Sequence, residues 1–416
     1  LFLGSRTTIN IHSLNVMEDV IIIGAGAAGL FLSANLTTKK AQLFEHCTEV
    51  GKKLLITGGG MCNLSNTLAT EQFLSHFGSK AQRNFLLPAL QTFDANQLCQ
   101  WLSERNMNTI VRDDGKIFPQ SLDAHEVRDL LLKNSKARIT TGAKILSITK
   151  KDELFLVETP VETYASKKIV LATGGMSYAN TGSDGSGYAL ARALGHSIVE
   201  PRPALVALNI KDYPFRPLAG NAVRNACVSF YHPGQNSSYA QIQGDVLFTH
   251  DGLSGPAILT PSRAIQKQDV IKLSLIGSEN HAATFHKINE MLLCQNKLIF
   301  SVLKEAGMSA SLAQSVMALT SLEKQTTTAM LNKKTRVHLA NLVSNFPLIV
   351  SSTKGFSSAM VTSGGVKLSE VHRKTMESNI VKGLFFAGEI LDYDGESGGF
   401  NLQAAFSTAY LASQHL

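Results

Sequence analysis

At 416 residues the chain exceeds what one ordinary hydrophobic core serves, so two or three domains are expected. Apolar residues make up 44% and charged residues 17%, the balance of a globular protein, and no apolar run reaches the roughly 18–20 residues of a membrane span. The net charge of +7 is scattered, and its densest clusters (Lys39-Lys40, Lys52-Lys53, and Lys333-Lys334 with Arg336) are too small for a nucleic-acid stripe, so neither nucleic acid nor membrane is expected as a partner.

The five cysteines, Cys47, Cys62, Cys99, Cys227 and Cys294, form no C-x-x-C and no paired spacing. This predicts a reducing, cytoplasmic setting without a disulfide framework, a metal site or a dithiol centre. Residues 1–16 carry one Arg, no long apolar stretch and no small-residue cleavage site. They are read as an extension, and the fold reading begins at Met17.

The run Asp19-Val-Ile-Ile-Ile-Gly24-Ala-Gly26-Ala27-Ala28-Gly29 is a β-branched strand ending in G-x-G-x-x-G, with small and apolar residues continuing at helical spacing. Glu45 closes the next apolar stretch, Ala41-Gln-Leu-Phe44. Strand, glycine turn, helix, strand and acid make the unit that binds an ADP moiety. Gly24 makes the tight turn, Gly26 admits the pyrophosphate, Gly29 lets the helix pack on the strand, and Glu45 bonds a ribose hydroxyl. The helix start at Ala27-Ala28 offers free N–H groups to phosphate.

Next comes Gly51-Lys52-Lys53-Leu-Leu-Ile-Thr57-Gly58-Gly59-Gly60-Met61-Cys62-Asn63, whose three glycines exclude a helix or strand interior. Residues 71–105 read as helical, with Asp94-x-x-Gln97 as a capping box. Asp114-Gly115 reads as a hairpin turn, and Asp123-x-x-Glu126 opens another helix. Short strands follow from 138 to 172, and a second apolar strand, Lys168-Ile-Val-Leu-Ala172, ends at Thr173-Gly174. The composition turns to β at about 198–275 and to helix at about 281–342, where Gly307 and Ser309 mark a stop and a start. A third strand ends Phe386-Ala387-Gly388-Glu389, and Gly398-Gly399-Phe400-Asn401-Leu402 opens the last helix.

Three glycine-ended strands, rather than one, point to FAD. Flavoproteins of the glutathione-reductase-like type end their middle strand in A-T-G and their last in A-x-G-D, and here Glu389 replaces the Asp. No second strand–GxGxxG–helix unit appears, so a nicotinamide donor (NADH or NADPH) would act transiently at the open face of the flavin.

The 51–63 stretch resembles the G-[RK]-K-x-x-x-[ST]-G-G-G-R-C-N motif of a bacterial flavoprotein family that includes BaiN-type reductases and aminoacetone oxidase-like (YhiN-like) enzymes. Phe118-Pro119-Gln-Ser121, Leu247-Phe248-Thr249-His250-Asp-Gly252-Leu-Ser254-Gly255-Pro256, Val361-Thr362-Ser363-Gly364-Gly365-Val366 and Gly388-Glu389-Ile-Leu-Asp392 also match. Met61 departs from the pattern, standing where the family has Arg. The resemblance covers 17–416 and implies an α/β fold: a glutathione-reductase-like FAD-binding Rossmann domain split in sequence, with an inserted small β-barrel-like domain and a helical insertion. The expected division is 17–197 with 346–416 for FAD, 198–280 with 335–345 for a β-rich substrate domain, and 281–334 for the helical insertion.

Lys53, Gly59, Gly60, Cys62, Asn63, Ala172, Thr173, Gly174, Gly364, Gly365, Gly388, Glu389, Gly399, Phe400, Asn401 and Leu402 join Gly24, Gly26, Ala27, Ala28, Gly29 and Glu45 as candidate cofactor contacts. His250, in a polar loop after an apolar stretch, is the candidate proton-transfer group, and Cys62 the candidate reactive thiol. The expected activity is redox chemistry on a small organic molecule by hydride transfer at flavin N5, in a monomer or homodimer. Ene-type reduction and amine oxidation remain open, as does a flavin-bound redox sensor or RNA- or protein-binding factor without turnover.

Overall fold

In a computed structural model, residues 17–38, 40–278, 280–293 and 296–416 are described. Residues 1–16, Lys39 and Cys294, which figure in the sequence reading, lie outside them. The chain divides into two compact units, 1–202 with 361–416, and 203–360.

The first unit is built on a seven-stranded sheet. The strand Met17–Ile23, whose Val20, Ile21 and Ile22 are buried, lies parallel between Ala41–Phe44 and Thr163–Leu171. Burial on both faces explains the unbroken β-branched run. Arg138–Thr140 extends the sheet beyond Ala41–Phe44. The far side of Thr163–Leu171 is shared: its first half pairs antiparallel with Leu154–Glu158, and its second half parallel with Leu384–Phe386. The three glycine-ended strands therefore run parallel, with their carboxyl ends together.

The helix Ala27–Ala34 is buried along almost its whole length. Its Phe31 ring lies 4.9 Å from Trp101, 5.2 Å from Phe93 and 4.8 Å from Phe406 of the closing helix Phe400–Ser413. Burying each such ring contributes about 1.5–3 kcal/mol. Local signals act as read: Asp94 and Gln97 form a reciprocal capping box, and Asp123 caps Ala124–Asn134 by accepting from His125 N. Gly115 turns the hairpin between Thr109–Val111 and Lys116–Pro119 at φ 77°.

The second unit holds a closed antiparallel barrel in the order Leu208–Ile210, Gly252–Ser254, Ala240–Phe248, Ala222–Tyr231, Val270–Gly277, Phe346–Thr353. The helices His281–Met291, Ile299–Glu305, Ala310–Leu319 and Lys333–Ser344 share one apolar core with it. Asn280, Ser309 and Asn332 cap three of these helices. The return to the first unit falls at Val361 rather than at 346, because Phe346–Thr353 is the strand that closes the barrel. Barrel and helices are likewise one unit here, not two, since neither buries its apolar face without the other.

Candidate functional site

At the carboxyl end of the first strand each glycine answers a different demand. Gly24 sits at φ 101°, and a Cβ there would lie 2.5 Å from Ala172 O. A Cβ on Gly29 would lie 1.9 Å from Gly24 O, so the helix touches the turn backbone to backbone. Gly26 is different: it caps the helix at an ordinary φ of −78°, and a Cβ would meet nothing within 4 Å. Space therefore stands open in front of the N-terminus of Ala27–Ala34, where no side chain caps the first-turn amides.

Glu45 is buried, and its carboxylate accepts from Ala25 N (2.8 Å) and Cys47 N (2.9 Å), which fixes it beside this opening. Thr173, after the middle strand, keeps its buried Oγ1 without a hydrogen-bond partner. Gly187 is required beside it, because a Cβ there would lie 1.8 Å from that oxygen. Open space at Gly26, an anchored acid and an orphaned hydroxyl at the strand ends fit a dinucleotide.

Lys53 and Glu389 form an ion pair of 2.6 Å, each about one-fifth exposed. Ser177 Oγ accepts from Lys53 Nζ (2.5 Å) and donates to Glu389 Oε1 (3.1 Å). Thr362 N also donates to Glu389 Oε1 (2.8 Å), and Thr362 Oγ1 accepts from Met176 N and Ser177 N. Glu389, expected to face the cofactor, thus ties together three distant chain segments. The extra methylene of Glu over Asp gives it that reach.

Several of the expected contacts also serve the packing and bracing of the unit itself. The Asn63 amide satisfies its neighbours with Oδ1 accepting from Gly399 N (3.1 Å) and Nδ2 donating to Ser65 O (3.1 Å) and Ile117 O (3.3 Å). Asn401 braces the preceding loop, accepting from Gly395 N and donating to Gly395 O, both at 2.8 Å. Phe400 is buried against His76, stacked at 4.1 Å, and Leu402 packs on the main core. Gly364, Gly365 and Gly399 are needed for close approach: Cβ atoms there would lie 2.6 Å from Glu200 O, 2.5 Å from Ile390 O and 2.4 Å from Ser65 O. Gly388 takes φ 78° beside Ala28, and Gly174 takes φ 73° beside Ser183, while Gly59 and Gly60 line a left-handed loop with open space around Gly59.

Cys62, the candidate reactive thiol, is enclosed rather than open to solvent. It is fully buried, and burial pushes its thiol up to about 12, so it stays neutral and packed. His250 belongs to the second unit, on an exposed turn after Phe248, where its backbone O accepts from Arg216 Nε (3.1 Å). Met61 stands against a guanidinium: Arg112, stacked on Phe118 at 4.1 Å, donates to Met61 Sδ at 3.2 Å.

The sequence reading passed over Asp392 and Tyr188. Burial and the neighbouring Asp394 push the Asp392 carboxyl up to about 6, although the Gly364 amide draws it back. Tyr188 is buried with its hydroxyl unpartnered, held neutral by burial and by the charges of Glu389 and Asp392. An acid embedded in a glycine-rich closing motif was the only signal available.

The model of the HI0933-like protein Rossmann domain family matches residues 18–415. The chain belongs to this family. It is the flavin-dependent oxidoreductase family whose motifs the 51–63 loop resembles. Among its curated relatives, a 3-dehydro-bile acid delta(4,6)-reductase of Clostridium scindens is 30% identical over 96% of this chain and 98% of its own. A ribosomal RNA dihydrouridine synthase of Haemophilus influenzae is 28% identical over 94% and 97%, and one of Escherichia coli 28% identical over 96% and 98%. The 3-ketosteroid-delta4-(5alpha)-dehydrogenase of Rhodococcus jostii has the same fold, with TM-score 0.51 at 14% identity over 98% of this chain and 99% of that one. No helix among the described residues is long and apolar enough to cross a membrane.

Proposed function

We propose that this HI0933-like protein is an FAD-dependent reductase of a carbon–carbon double bond conjugated to a carbonyl, in a small organic molecule. The observation that carries the cofactor assignment is the open cradle at Gly26, between an uncapped helix start and the anchored Glu45. The first-turn amides of Ala27–Ala34 would hold the pyrophosphate, Glu45 the adenosine ribose, and the Lys53–Glu389 pair the ribityl side. When bound, FAD supplies hydride at N5. Glu389 holds Lys53, Ser177 and Thr362 in one arrangement, so this wall is set before any ligand arrives. Asp392, half-buried and titrating near neutrality, can hold or give up a proton at its carboxyl oxygen.

The relatives support the ene-type reading over amine oxidation. Saturating a bile-acid ring and converting uridine to dihydrouridine share one operation, the addition of two hydrogens across a ring C=C. The two ribosomal RNA enzymes favour a second reading, in which the substrate is a uridine within RNA.

Anaerobic stopped-flow tests these readings. NADH or NADPH should bleach the flavin, and a cyclic enone should restore its colour. Bleaching by amines instead would reverse the chemistry. Recovery only with uridine-containing ribosomal RNA would select the second reading, and RNA binding without turnover would leave a redox-sensing factor. A colourless protein would remove the proposal.

A further inference from the structure

In the first unit an imidazole is held by a carboxylate beside the glycine-rich closing turn. His76 follows the helix Thr70–Ser75, and Glu396 lies in the turn that precedes Phe400–Ser413. His76 Nδ1 lies 2.7 Å from Glu396 Oε2. A carboxylate only accepts, so Nδ1 carries the hydrogen and Nε2 is left to take and give a second one. An acid in this position is what orients a proton-transfer histidine. The ring is held from other sides too. Glu396 N donates to His76 O (3.0 Å), Phe77 pairs with Gly395 in an antiparallel bridge, and the imidazole stacks on Phe400 at 4.1 Å with 17° between the planes. The two side chains are 32% and 30% exposed, so a small molecule reaches them. His196 of the same unit also faces a carboxylate, that of Glu370, but its side chain is fully enclosed.

The segment 388–400 places this pair. A Cβ on Gly388 would lie 2.7 Å from Ala28 Cβ, at the helix start assigned to pyrophosphate. Glu389 follows, on the side assigned to the ribityl chain. Further along come Glu396 and Gly399. Asn63 Oδ1 accepts from Gly399 N (3.1 Å), and a Cβ on Gly58 would lie 2.8 Å from Asn63 N, so the closing turn adjoins the triple-glycine loop. Ser65, on whose backbone Gly399 packs, keeps a buried Oγ without a hydrogen-bond partner. The order along the chain is thus pyrophosphate end, ribityl side, then the turn that carries Glu396 and holds His76.

We propose that His76, oriented by Glu396, is the proton donor to the substrate, an inference that rests on the reductase reading above. Reduced nicotinamide, by way of FAD, is the source of the hydride, which forms the new C–H bond at the β-carbon of the enone. The electron pair of the C=C moves onto the α-carbon and the carbonyl oxygen. The α-carbon then takes the proton from His76 Nε2, breaking that N–H bond. The imidazole regains a proton from water while its Nδ1–H stays on Glu396. One hydride and one proton are consumed for each C=C saturated.

Anaerobic stopped-flow on the full chain separates the two half-reactions. His76→Gln should leave bleaching by NADH or NADPH unchanged and slow colour recovery with a cyclic enone about a hundredfold or more. Glu396→Gln should slow recovery by less. Free imidazole should restore recovery in His76→Ala, which the loss of a packing contact alone would not permit. Without any substrate, proton NMR of the wild type should show a downfield, slowly exchanging imidazole N–H that His76→Gln and Glu396→Gln both remove. Recovery at the wild-type rate in His76→Gln, no response of His76→Ala to imidazole, or slowing confined to Asp392→Asn would overturn the assignment. If the wild type itself shows no recovery with the enone, the reductase reading fails and takes this assignment with it. An unaffected His76→Gln leaves that reading standing and removes His76 alone.

Discussion

Gly26→Ala and Gly29→Ala place the same methyl three residues apart on one helix and should fail in opposite ways. At Gly29 the new Cβ would lie 1.9 Å from Gly24 O, whereas real Cβ contacts stay above 3.0 Å. The obstacle is backbone, and Phe31 on the same helix is locked in a ring cluster, so the helix must lift by about 1 Å or the turn must open. Overpacking of this kind costs about 3 kcal/mol, the upper end of the usual range because no side chain can swing aside. At Gly26 the φ of −78° suits alanine and nothing lies within 4 Å. Loss of a glycine cap and gain from a stiffer unfolded chain nearly cancel, leaving stability within about 1 kcal/mol of wild type. The methyl nevertheless fills the space assigned to pyrophosphate. Urea denaturation followed by circular dichroism, with the flavin-to-protein ratio and FAD titration on the same preparations, separates the two. Gly26→Ala should fold normally and bind FAD at least tenfold more weakly. Full flavin content in Gly26→Ala would refute the cradle, and wild-type stability in Gly29→Ala would refute the packing argument.

Asp392 binds its proton more tightly folded, at about 6, than unfolded, at about 3.8. Its cost is absent below about pH 4, grows up to pH 6 and persists above, so Asp392→Asn should match wild type at pH 4 and exceed it at pH 8 by about 1–2 kcal/mol; two units convert to about 3 kcal/mol before discounting for half-exposure. A pH-independent difference would contradict this. Lys53→Met or Glu389→Gln should each cost about 2–3 kcal/mol by leaving one mostly enclosed charge unpaired, and a double-mutant cycle should show coupling above about 1 kcal/mol. Independent, additive losses would refute the clamp. Cys62 should resist alkylation in the native protein and react only on unfolding, as mass spectrometry of iodoacetamide-treated samples would show; native labelling at a rate matching Cys47 would refute its burial.

The features legible before folding were those written in neighbouring residues. The β-branched run into Gly24, the capping boxes, the Asp114-Gly115 turn and the three glycine-ended strands all follow from local sterics and period-2 or period-3.6 burial. What went unread depended on burial and on partners that only the folded chain brings into reach. Asn63 and Asn401 look like ligands in a line of text, yet each has its amide engaged by backbone nearby. Cys62 beside three glycines looks reactive until burial removes its charge. Glu389 reads as a cofactor contact, and only the fold shows that Lys53, Ser177 and Thr362 meet on it.

The sequence by itself determined the strands, the helix starts and the placing of the glycine turn, because each rests on contacts within a few residues. Only the tertiary structure decided which glycine faces open space and which faces backbone, where the barrel closes, and that Lys53, Ser177 and Thr362 meet on Glu389. Those are matters of through-space distance between segments far apart in the chain, which no local period or spacing encodes.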